Sequence, residues 1–223
     1  TTGPVETAQP RHTRTPRGTL SQQLLLDTAM EIVDIGGVGG FSMRALGARL
    51  NIDPTAVYRH FRTKNELLEA LADRVVRGDE PLPHTGDPRA DIRETFAQLR
   101  RSLLRHPTLA PIVLRRPPGG EASWERTNHA IGLLRDAGLP DRQASDAYTT
   151  LLFYTLGHAL TEARHTAATI AKKGLDATVT PITAISSSAS RYPHLAAVAD
   201  HLAADMQAQF HDGLSLILAA LAI

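Results

Sequence analysis

Apolar residues recur at helical spacing along most of the chain, and no stretch alternates as a half-buried strand would. Leu25, Ala29, Ile32 and Val33 share one helical face. The run stops in Gly36-Gly37-Val38-Gly39-Gly40, which predicts a helix end followed by a tight, mobile loop. Three further starts follow closely. Ser42 is placed as an N-cap, with Phe41 before it and Leu46 four positions into the helix as a hydrophobic staple. Asp53 is placed as a second N-cap, with Pro54 at the first helical position, where its missing N–H costs nothing. Ile52 and Val57 form the next staple. Thr63-Lys64-Asn65-Glu66 reads T-x-x-E, a capping box that opens a longer helix containing Leu67, Leu68, Leu71, Val75 and Val76.

Residues 78–88 (GDEPLPHTGDP) are rich in Gly and Pro and mark a candidate domain boundary. Beyond them the pattern predicts helices over about 89–105, 106–113, 121–137, 141–165 and 192–222. Residues 168–191 form two weak stretches rich in Ala, Ser and Thr. Residues 1–18 have almost no large apolar side chains and read as a disordered arm. Its Arg11, Arg14 and Arg17 fit either a solvated tail or an arm that samples a DNA minor groove. The expected architecture is all-α: an arm at 1–18, a three-helix domain at 19–77 and a helical domain at 78–223.

Composition sharpens this picture in a few places. The chain has 223 residues and no cysteine, which excludes a disulfide scaffold, thiol catalysis and Cys-based metal sites. The net charge is only +1, but the positive charge is local. From Gly40 to Lys64 stand Arg44, Arg49, Arg59, Arg62 and Lys64 against a single acid, Asp53. No apolar run approaches the roughly 20 residues of a membrane span, and residues 1–19 lack the apolar segment of a signal peptide. A cytoplasmic, bacterial location without membrane contact is the expectation.

Two short capped helices meeting at Asn51-Ile52-Asp53 form the pattern of a helix-turn-helix, in which the second helix enters a DNA major groove. That chemistry wants small or hydrogen-bonding groups facing the bases and cations at the rim. Thr55 and Ala56 are small, Tyr58, Arg59 and His60 offer donors, and Lys64 opens the next helix.

These residues carry a resemblance. F-S-M-R-x-L-x-x-x-L from Phe41, P-T-x-V-Y-R-H-F from Pro54 and K-x-E-L-L from Lys64 resemble the DNA-binding domain of the TetR family of bacterial transcriptional repressors. L-x-x-H-P ending at Pro107, T-L-G at Thr155 and F-x-x-G-L from Phe210 are similar to the C-terminal domain of the tetracycline-repressor branch. The resemblance implies an all-helical homodimer with an inducer pocket in the C-terminal helices. Arg44 matches a base-contacting arginine. Ser42, Tyr58, His60 and Lys64 match phosphate-contacting positions, and Thr55, Ala56 and Arg59 lie on the reading helix. Residues 151–165 and 192–222 match dimer helices. Val113 stands where tetracycline repressors carry a metal-binding histidine, so no metal site and no cofactor follow from the resemblance.

The nearly all-apolar run 148–160 independently suggests burial against a partner chain. Leu151, Tyr154, His158, Met206, Phe210, Leu214 and Ile217 are the expected dimer-interface residues. Phe96, Leu99, Leu103, Val113, Trp124, His129 and Phe153 are the candidate pocket lining, with plain core packing as the alternative. The expectation is a ligand-responsive repressor that binds a pseudo-palindromic operator as a homodimer, with half-sites about 34–36 Å apart. A small-molecule inducer releases it, and the helix at 63–77 is the lever. The rivals are a regulator without ligand control, such as an activator, and a small helical metal-dependent enzyme. The enzyme would use His158 with Glu162, or His201 with Asp205.

Overall fold

The computed structural model describes residues 20–115, 119–172, 190–202 and 205–221. The expected arm at 1–18 and most of the weak stretch at 168–191 fall outside the described residues. Every element among the described residues is helical. The chain divides into two compact units between Leu71 and Ala72, inside a helix and ahead of the Gly/Pro-rich stretch where composition changes.

The first unit begins with α1 (Gln22–Gly40), whose N-cap Ser21 accepts a hydrogen bond from Leu24 N at 3.1 Å. Leu25, Ala29, Met30 and Val33 are its buried face. Of the expected loop, only Gly37 leaves helical geometry, at φ +69° and ψ 169°, a conformation open to glycine because it has no Cβ. Next comes α2 (Met43–Leu50), with Ser42 Oγ accepting from Ala45 N at 3.0 Å as expected. Asn51 ends α2 in the left-handed region, φ 54°, and its N–H turns back to Gly47 and Ala48 carbonyls. A Cβ at Gly47 would lie 3.1 Å from Ile52 O and 3.3 Å from Pro54 Cα, so the missing side chain lets the turn close.

Asp53 caps α3 (Pro54–Tyr58) by accepting from Thr55 N at 2.8 Å and Thr55 Oγ1 at 2.7 Å. The sequence pattern extends this helix to about Phe61. It ends three residues earlier because His60 N and Phe61 N converge on the single carbonyl of Val57. Thr63 Oγ1 accepts from Glu66 N at 3.0 Å and opens α4 (Lys64–Arg77). The reciprocal half of the capping box shifts by one residue, since Glu66 accepts from Arg62 N at 2.7 Å.

The second unit takes in the end of α4 and α5 (Pro88–Arg105), α6 (Ala110–Arg115), α7 (Glu121–Asp136), α8 (Asp141–Lys172), α9 (Pro193–Leu202) and α10 (Met206–Ala220). Residues 78–88 are held against the bundle. Gln98 Nε2 donates to Pro81 O at 3.0 Å, and the Asp91 carboxylate accepts from Thr85 N and Oγ1. Helices α5, α7 and α8 pack on one another, and α10 packs on α8 and α5. Their core holds Ile92, Phe96, Leu133, Leu134, Leu151, Phe210, Leu214 and Leu218.

Two expectations change here. The region at 192–222 is two helices rather than one: the Asp205 carboxylate accepts from Gln207 N at 2.8 Å and starts a new helix. Aspartate favours such a cap over a helix interior. Second, Leu151, Phe210 and Leu214, expected at a dimer interface, are fully buried within this chain's own bundle. The apolar spacing is real, but it faces inward. Tyr154 lies over α10 at Gly213, where any Cβ would overlap its hydroxyl, and donates toward Gln209 O and Phe210 O at 3.1 and 3.0 Å.

Candidate nucleic-acid interface

The caps at Ser42 and Asp53 fix where α2 and α3 start, and the tight turn at Gly47 and Asn51 sets the angle between them. Met43, Leu46 and Val57 point into the unit's core. The positions between them therefore point out. Ser42, Arg44, Thr55, Arg59 and His60 are exposed, Tyr58 is 49% exposed, and Ala56 is half-buried. All eight expected DNA-contacting residues, the half-buried Lys64 included, thus present an accessible or partly accessible surface. Two guanidinium groups, one imidazole and three hydroxyls, that of Tyr58 among them, suit phosphate oxygens and base edges alike. Two of the hydroxyls already carry local duties, since Ser42 accepts from Ala45 N and Thr55 donates to Asp53.

Lys64 is placed differently from the sequence expectation. Its Nζ donates to Val38 O at 3.1 Å and to Phe41 O, and it lies 5.6 Å from the centroid of the Phe41 ring. An ammonium group has three donors. Two are spent on closing the chain that follows Gly37, a structural role that the motif did not reveal.

In the second unit the seven candidate pocket residues differ in burial. Phe96, Leu99, Leu103 and Val113 are buried core, whereas Trp124 and Phe153 are 68% and 58% exposed. None of the seven lines either of two cavities there. One, of about 400 Å³, lies between the 77–82 segment and Glu125 and Arg126 of α7. The other, of about 420 Å³, is bounded by Arg100, Arg101 and Arg105 of α5, Glu162 of α8, and Gln207 and His211 of α10.

The interior of this unit is polar in a way the sequence pattern did not announce. Arg100, buried on α5, donates from Nε and Nη2 to Glu162 at 2.9 and 2.7 Å, with its guanidinium 5.1 Å from the Phe210 ring centroid. His158 Nδ1 lies 3.6 Å from the same carboxylate, and neither ring nitrogen has a hydrogen-bond partner. Burial holds the His158 imidazole below the ordinary histidine value; Glu162 pulls it up and Arg100 pushes it down. Burial likewise lowers His129 on α7, whose Nε2 is buried without a partner. Arg126, also buried, donates to Gln98 Oε1, Thr95 O and Arg77 O. The available signal was a charged residue at core spacing: Arg100 follows Phe96 by four positions, on the face that also carries Leu103.

Among the described residues, no group of three His, Asp or Glu side chains is placed to hold a metal ion. Glu162, half of one metal pair considered above, is taken up by Arg100, and Asp205, half of the other, caps α10. Among the described residues, no helix is long and apolar enough to cross a membrane.

Comparison with known proteins agrees with the helical pattern. The profile of bacterial regulatory proteins of the tetR family matches residues 25–71, and that of the tetracyclin repressor-like C-terminal domain matches residues 80–223. The HTH-type transcriptional repressor DrrR1 of Streptomyces coeruleorubidus is 32% identical over 155 residues, 67% of this chain and 56% of that protein. The chain therefore spans little more than half the length of that relative. Among solved structures, apo ActR from Streptomyces coelicolor superposes with a TM-score of 0.76 at 28% identity, covering 92% of this chain and 96% of ActR. ActR in complex with actinorhodin gives 0.74 at 28% identity, covering 92% and 98%.

Proposed function

We propose that this chain, which belongs to the tetR family of bacterial regulatory proteins, is a transcriptional repressor that binds operator DNA as a homodimer and is released by a small organic molecule. The observation that carries the reading is the exposed row of Arg44, Thr55, Tyr58, Arg59 and His60 along α2, α3 and the turn that follows α3, with both helix N-caps made. These side chains support no core, yet the backbone under them is rigidly specified. Residues 19–77 are the reading head, and Ser42 and Ala56 complete its contact face. Lys64 belongs to the same face by motif and acts there mainly by holding the segment after Gly37 in place.

Two half-sites one helical turn apart require two reading heads. The partner surface is drawn from the outward faces of α8 and α10, where Phe153 and Leu216 are 58% and 73% exposed, with Met206 and Ile217 beside them in sequence register. Tyr154 and His158 lie between that surface and the core. Complexes of ActR with small molecules make a ligand in the second unit the economical reading for this chain as well.

The test is selection of bound duplexes from a random library at fixed salt, with Arg44→Ala and Tyr58→Phe as controls. A palindrome with half-sites about one turn apart is expected. Arg44→Ala should weaken binding to it by about tenfold or more, as loss of a good base contact does. Binding that shows no sequence preference and vanishes at moderate salt would overturn the reading.

A further inference from the structure

The start of α7 is capped by a residue of another helix. Gly120, the N-cap, has no side chain to bond the free N–H groups of the first turn. The Asp73 carboxylate of α4 does this instead, accepting from Ser123 N at 3.2 Å and from Ser123 Oγ. The glycine is a condition of the arrangement, because a Cβ at position 120 would overlap that carboxylate. The same stretch of α4 is tied at two more points. Ser102 Oγ donates to Val75 O at 2.6 Å, and Arg126 Nη2 donates to Arg77 O at 2.8 Å. Helix α7 therefore holds α4 at both its own first turn and, through Arg126, at the end of α4.

From this geometry we infer that Asp73 is a positioning residue for DNA binding: its cross-helix cap ties the axial position of α4 to the first turn of α7. An ordinary cap at position 120 would leave α7 indifferent to α4. With the cap lodged on α4, any axial shift of α4 strips a hydrogen-bond acceptor from Ser123 and frays α7. The converse also holds: a change that loosens the start of α7 removes one of the three ties on α4, whose first residues belong to the first unit. Beside the tie at Arg77, Arg126 Nε is buried without a hydrogen-bond partner.

This inference rests on the duplex-binding reading above. The test is hydrogen exchange of the full chain, with and without a duplex from the selection, in the native sequence, in Asp73→Ala and in Gly120→Ala. The two variants break the same contact from opposite sides, so a folding defect in one leaves the other informative. In the native chain the duplex should slow exchange of the first-turn amides of α7 by about fivefold, the lower end of typical site-to-site coupling. In both variants that slowing should disappear and duplex binding should weaken by about the same fivefold, while the chain stays folded. A merely structural cap would leave the duplex-dependent change intact. Unchanged or faster exchange in the native chain, or equal slowing in the variants, overturns the inference. Failure of the native chain to bind any duplex overturns the reading on which it rests.

Discussion

The two units keep their polar groups in different places. Among the described residues up to Leu71, the buried side chains are apolar apart from Thr28, whose hydroxyl bonds back to Leu24 O. Beyond Ala72, Asp91, Thr95, Gln98, Arg100, Ser102, Ser123, Arg126 and Thr155 are all buried, and most are joined across helices. The reading head is thus held by apolar packing and local caps, with Arg44, Arg59 and His60 turned outward from that packing. The helical unit is held partly by a connected interior network, in which moving one helix disturbs the partners of another.

That contrast can be attacked directly, beginning with the apolar core of the second unit. Phe210 is fully buried, stacks on Tyr154 with centroids 5.6 Å apart and meets His158 edge-on. Phe210→Ala should lower stability by about 3–5 kcal/mol, read from urea unfolding. Glu162→Gln should follow at about 3 kcal/mol, because it leaves the Arg100 charge buried without its counter-ion. Restoration of much of that loss in an Arg100→Met, Glu162→Met double variant would show that the network serves positioning more than stability. Gly213→Ala, which sets a methyl against the Tyr154 hydroxyl, should cost about 2 kcal/mol. In the reading head, Ser42→Ala should cost about 1 kcal/mol, the usual worth of an N-cap. Its effect should appear in exchange of α2 amides and leave α5 untouched.

Acid gives the smallest effect and the sharpest distinction. His129 and His158 sit below the ordinary histidine value in the folded chain. The unfolded chain then binds the extra protons first, so stability is fully present above about pH 6.5 and falls as pH drops through that value. Melting temperatures at pH 7.5 and 5.5 should differ, and His158→Gln should reduce the difference. An unchanged difference in that variant would remove His158 from the account.

The caps were legible because their signals are local. Ser42, Asp53 with Pro54, and Thr63 act within three residues of themselves, and all three cap as their sequence context predicts. Helix α2 has the bounds its pattern implies. The inward placement of Leu151, Phe210 and Leu214 was not legible, because periodicity marks a buried face without naming what covers it. Lys64 escaped for a related reason: its partners, Val38 and Phe41, lie more than twenty positions away and are backbone carbonyls that no motif encodes. Asp73 and Ser123 lie fifty residues apart, and Gly120 looked like one more loop glycine.

The accessible row on α2 and α3 has a consequence for descent. Substitutions at exposed positions with no packing role usually change stability by no more than about 0.5 kcal/mol. Arg44 and Arg59, with Tyr58 half covered between them, can therefore drift one at a time with little loss at the two arginines while the scaffold beneath them persists. Duplicate copies of such a gene would diverge first in the DNA they recognise and only later in the helices that hold them. In a laboratory library, these three positions are the place to seek new specificities without first having to rescue folding.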